Sequence, residues 1–142
     1  MSRASEAIER LLAIMHRLRA PGGCPWDREQ TLASLRPYLL EETYEVLEAI
    51  DAGDAGAHRE ELGDLLLQIV FQAELRREAG AFEFADVAEA ISDKLVSRHP
   101  HVFGDSVVKD AEGVLTQWAA LKRQERRRKG GGHPRGDEVA HV

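Results

Sequence analysis

Leu40-Glu41-Glu42-Thr43-Tyr44-Glu45-Val46 and Glu61-Leu62-Gly63-Asp64-Leu65-Leu66 set carboxylates among apolar residues at helical spacing. Glu42 and Glu45 stand three apart, Glu41 and Glu45 four apart, and Glu61 and Asp64 three apart, so each set shares a helix face. Asp51-Ala-Gly-Asp-Ala-Gly56 between them has helix-stop character. A connection that short predicts an antiparallel helical hairpin with its two acidic faces together. Like charges at these spacings destabilise a bare helix. Converging carboxylates repel one another or take up protons unless a cation sits among them. All-oxygen ligation selects hard ions, Mg²⁺ or Mn²⁺, over zinc. The residues alone leave two readings open: a solvated acidic face, common in a chain with 25 acidic residues, or a cation site. Glu61 and Asp64 lie beside Leu62, Leu65 and Leu66, where an unpaired charge is costly.

Other apolar patterns extend the helical reading. Ile8, Leu11, Leu12, Met15 and Leu18 predict a helix over 4–19, ended by the two prolines and two glycines of 19–25. Pro37 is expected in the first turn of a helix over about 37–51, and a third helix over about 57–79 closes at Gly80. Leu62, Leu65, Leu66, Leu67, Ile69, Val70 and Phe71 surround much of that third helix, which predicts burial partly against another copy of the chain. Asp86 is the expected cap of a fourth helix, which runs to about Arg98 and stops at Pro100. Gly104 to Asp110 reads as a loop with a short extended patch at Val107-Val108, and a last helix runs from about 111–113 into Arg126-Arg127-Arg128. The expected class is all-α: a bundle of about five helices around a central antiparallel hairpin. The domain is expected over 1–125, followed by a basic, glycine-rich flexible tail over 126–142.

Charge and composition narrow the function classes. Arg123, Arg126, Arg127, Arg128, Lys129 and Arg135 against Glu125, Asp137 and Glu138 give the last twenty residues +3, so the net −6 leaves −9 on the first 122. An acidic body is a poor nucleic-acid binder but gathers divalent cations. No apolar run reaches the length of a membrane span, and the N-terminus has no signal-peptide character, so a cytoplasmic location is expected. Cys24, the single cysteine, excludes an intrachain disulfide.

The two acidic strings occur together with Gly23-Cys24-Pro25-Trp26-Asp27 and with Ile-Ser-Asp-Lys-Leu-Val-Ser-Arg-His-Pro-His-Val-Phe-Gly over 91–104. In this order, from about residue 5 to about residue 125, they resemble the MazG nucleoside triphosphate pyrophosphohydrolases. The resemblance implies an all-α fold that forms dimers or tetramers through its central helices. It implies Mg²⁺-dependent hydrolysis of nucleoside triphosphates, ribo or deoxy, to monophosphate and pyrophosphate, with Mn²⁺ as a possible substitute. Removal of non-standard nucleotides would be one use. Carried over by position, Glu42, Glu45, Glu61 and Asp64 would be metal ligands, and Glu41 would orient or deprotonate the attacking water.

Lys94 and Arg98, one helical turn apart, would hold the distal phosphates; apart from the motif they read equally as solvated cations near a helix C-terminus. Trp118 and Lys122 resemble the family's WxxxK, with Trp118 beside the nucleotide and Lys122 on phosphate, although core packing of Trp118 stays open. Trp26-Asp27 is expected to anchor or border the pocket, and His99 and His101 to belong to a structured turn. The rival reading is a catalytically silent helical module that binds nucleotide or a protein partner.

Overall fold

Two reciprocal serine and threonine caps open the chain's first two long helices. The Ser2 hydroxyl accepts from the Ser5 amide at 3.1 Å while the Ser5 hydroxyl accepts from the Ser2 amide at 3.0 Å, starting α1 (Arg3–Arg19). Thr31 and Ser34 repeat the exchange at the start of α3 (Leu32–Ala52), after the short α2 (Pro25–Glu29). Gly53 then turns left-handed at φ 69°, a conformation only glycine adopts cheaply. The Asp54 carboxylate accepts from the amides of Gly56 and Ala57 to start α4 (Ala55–Glu78). This is the expected hairpin, closed by two residues. The computed structural model describes residues 1–128 and continues with α5 (Phe84–Arg98), α6 (Pro100–Phe103) and α7 (Ala111–Arg128).

The all-α class and the five long helices agree with the sequence patterns, and three details differ. The short helices α2 and α6 occupy stretches expected to be breakers; each has proline in its first turn, where the missing N–H costs nothing. Helix α3 begins five residues before the expected Pro37, which sits inside it and forfeits one backbone bond on an exposed turn. Asp86 lies within the first turn of α5, and Val107-Val108 forms no strand. The expected tail lies, from residue 129 onward, outside the described residues. Among the described residues no helix is long and apolar enough to cross a membrane.

The chain forms two compact units, 1–85 and 86 onward. In the first, Met15 of α1, Leu35 of α3 and Val70 and Phe71 of α4 make the core, with Leu11, Leu12, Leu18, Leu66, Leu75 and Phe84 packed against it. In the second, the Trp118 indole N–H donates to the Arg98 carbonyl at 2.7 Å and its ring meets His99 edge-on at 5.2 Å. Gln117 bonds His101 at 2.9 Å and accepts from the Ser106 hydroxyl, so the His-Pro-His segment is well structured, with His99 capping the short α6 where a turn was expected.

One buried carboxylate makes the first unit sensitive to acid. Glu74, 8% exposed, accepts two bonds from Arg77 at 2.8 Å and faces His16 Nδ1 at 3.0 Å. The Arg77 hydrogen bonds hold its carboxyl below the usual range, against the opposing effect of burial. A depressed carboxylate pKa stabilises the fold above the ordinary glutamate range, and the contribution is lost as pH falls through the folded value. Glu74→Gln is therefore expected to cost about 1–2 kcal/mol near neutrality. In urea titrations, the gap to wild type should close at pH values below the ordinary glutamate range. A gap that persists there would contradict this assignment.

Candidate metal centre

The two-residue link sets the acidic faces of α3 and α4 against each other. One oxygen each from Glu42, Glu61 and Asp64 lies within 4.8 Å of the others. Glu42 and Glu61 are half-buried and Asp64 is exposed. The Glu42 Oε2 atom is buried without a hydrogen-bond partner. An orphaned buried acceptor is costly, and one inside a carboxylate cluster is doubly so.

Electrostatics agree with the geometry. Burial raises the Glu42 carboxyl above its ordinary range, and Asp64, Glu61, Glu41 and Glu45 raise it further. Glu61 is raised for the same reasons, burial first, then Asp64 and Glu45. Glu45 thus stands within electrostatic reach of both, although its oxygens lie outside the close trio. Glu41 is exposed on the flank of α3. Gln68, one turn beyond Asp64, was not singled out by sequence; its Oε1 is also buried without a partner. The i, i+4 spacing from Asp64 was the available signal.

Hard oxygen donors, a close trio and an unpartnered buried oxygen fit a divalent cation. A pocket of about 390 Å³, lined in part by Leu12, His16, Val70, Glu74, Arg77 and Phe84, offers the contrasting case. Its buried carboxylate is already paired with Arg77 and His16, leaving no charge for a cation to offset.

The remaining sequence candidates belong to the second unit. Lys94 is exposed on α5. Arg98, one turn on, is 7% exposed and donates to Glu125 at 3.0 and 3.4 Å, a pairing that sequence did not reveal. Trp118 is half-buried on the Arg98 carbonyl, and Lys122, also half-buried, follows one turn later on α7.

Fold and site together define an all-α protein whose helical hairpin brings three carboxylates close together. Residues 30–103 match the MazG nucleotide pyrophosphohydrolase domain, and the chain belongs to that family. It is 56% identical over 123 residues to the nucleoside triphosphate pyrophosphohydrolase of Escherichia coli (strain K12), covering 86% of this chain and 47% of that protein. It is 50% identical over 129 residues to the nucleoside triphosphate pyrophosphohydrolase/pyrophosphatase MazG of Thermotoga maritima, covering 91% and 49%. With the nucleoside triphosphate pyrophosphohydrolase of Mycobacterium tuberculosis the identity is 45% over 131 residues, covering 90% and 39%. The chain thus spans about half the length, or less, of these curated relatives.

Proposed function

We infer that this chain hydrolyses ribo- and deoxyribonucleoside triphosphates to nucleoside monophosphate and pyrophosphate, with Mg²⁺, or Mn²⁺ in its place. The observation that carries the reading is the close trio of Glu42, Glu61 and Asp64 oxygens, together with the unpartnered buried Oε2 of Glu42. The family, and the pyrophosphohydrolase names of the relatives, agree with it.

Glu42, Glu61 and Asp64 would hold the cation, with Glu45 as the fourth ligand. A bound divalent ion would polarise the attacking water and the α-phosphate oxygens, and offset charge on the departing pyrophosphate. Glu41, exposed beside Glu42, orients the water and takes its proton. The water oxygen forms the new bond to the α-phosphorus, and the bond to the bridging oxygen breaks with its electron pair leaving on pyrophosphate. The resemblance would give the phosphates to Lys94, Arg98 and Lys122 and the nucleotide to Trp118; Arg98, buried against Glu125, would have to leave that pair to do so. Removal of non-standard nucleotides is the use that broad base tolerance would serve. The test is product analysis with Mg²⁺ and a panel of ordinary and modified triphosphates. Monophosphate plus pyrophosphate is expected; diphosphate plus phosphate, or no turnover, would sink the reading.

A homo-oligomer completes the proposal. Leu40, Tyr44, Leu47 and Ile50 are 58, 59, 49 and 53% exposed along one stripe of α3, a surface that a second copy would bury. Light scattering should give a dimer or tetramer mass, and Leu47→Glu should lower it; a wild-type monomer would contradict the proposal.

A further inference from the structure

Trp26 of α2 and Tyr38 of α3 form a near-perpendicular ring pair, centroids 5.7 Å apart at 78°, yet remain 48% and 38% exposed. The chain commits considerable structure to holding Trp26 in that open position. A Cβ at Gly23 would collide with the Leu18 carbonyl oxygen, so only glycine allows the turn that precedes α2. The Cys24 amide closes that turn by donating to the same carbonyl at 2.8 Å. The buried Arg19 guanidinium donates to the carbonyls of Asp27 and Gln30. The Gln30 side chain donates to the Trp26 carbonyl at 2.9 Å and accepts from the Ser34 hydroxyl at 2.8 Å, tying α2 to the first turn of α3. A large aromatic ring held still and left uncovered is a preorganised binding surface.

Its position names the ligand. Tyr38 shares the face of α3 that carries Glu41, Glu42 and Glu45, and precedes Glu42 by four residues, about 6 Å along the axis. A triphosphate held at the carboxylate cluster has its base one ribose away from the α-phosphate, a reach comparable to that step. We propose that the Trp26–Tyr38 pair is the platform on which the base of the nucleotide stacks. This inference rests on the pyrophosphohydrolase reading for what occupies the carboxylate cluster. Stacking accepts any base because every base has a π face. The platform therefore gives affinity with weak discrimination, and it supplies a physical reason for broad base tolerance.

The test is calorimetric titration, in Mg²⁺, of two probes: the α,β-methylene analogue of ATP, which resists cleavage, and inorganic tripolyphosphate, which has no base. Trp26→Ala should weaken the analogue about tenfold and leave tripolyphosphate unchanged, while Trp26→Phe keeps most of the affinity. Equal losses for both probes, or no loss for either, overturns the platform. So does a changed oligomer mass for Trp26→Ala, which would assign the rings to a contact between copies. A wild type that prefers the analogue over tripolyphosphate but yields no monophosphate removes the reaction and retains the platform. A wild type that binds the two probes equally, or neither, removes the platform.

Discussion

Glu42→Gln is expected to abolish triphosphate turnover and, in the same protein, to raise the melting temperature measured without divalent cations. The two effects share one cause. Glu42 carries a buried oxygen without a partner, and its carboxyl is raised by burial and by four neighbouring carboxylates. Its negative charge therefore works against the metal-free fold at neutral pH, and an amide of the same shape relieves that repulsion. The same charge is what draws a divalent cation. Mg²⁺ should raise the wild-type melting temperature by mass action and shift the variant much less. Asp64→Ala should likewise abolish turnover and the Mg²⁺ response. Its exposed carboxylate costs the metal-free fold less, so any gain in stability should be smaller. Retained turnover in either variant would remove that residue from the cation site. A metal-free Glu42→Gln protein less stable than wild type would show that the orphaned oxygen has a structural partner after all.

The reason this carboxylate cluster could be read from sequence is that its parts are local. Glu42 and Glu45 on one helix, and Glu61 and Asp64 on the next, are joined by a connection whose glycine and aspartate declare a tight turn. Helical periodicity and a short loop fix such an arrangement without long-range information. The trio Glu42, Glu61 and Asp64 follows directly, whereas the position of Glu45 outside it depends on side-chain directions that spacing cannot give. Trp118 on the Arg98 carbonyl and Arg98 on Glu125 join residues 20 and 27 apart in the chain. No periodic signal reports such pairs. Pro25 and Pro100 misled for a different reason: proline ends a helix from within but fits its first turn, and sequence alone did not separate the two roles.

Arg19 is the long-range element with the largest consequence, and Arg19→Ala is expected to cost about 2–3 kcal/mol of folding stability. Its side chain is 9% exposed and makes a two-pronged pair with Glu78, Nε to Oε2 at 2.7 Å and Nη2 to Oε1 at 2.8 Å. Nη1 turns the other way, to the carbonyls of Asp27 and Gln30, and the guanidinium lies 5.8 Å from the Phe71 ring centroid. One planar group thus ties the end of α1 to α2 and α4, and its removal leaves two carbonyls and a carboxylate without their donor. The Glu78 hydrogen bonds raise an already high pKa, so the cation is present at every accessible pH. A domain of this size has about 5–15 kcal/mol in total. The variant should therefore unfold at a much lower urea concentration, and the surviving native fraction should bind the methylene analogue less tightly because α2 no longer holds Trp26 in place. Arg19→Lys keeps the charge but lacks the fork that serves Glu78 and the carbonyls at once, so it should recover only a minor part of either loss. Full recovery by lysine would mean that charge, and not the geometry of the guanidinium, holds these helices together.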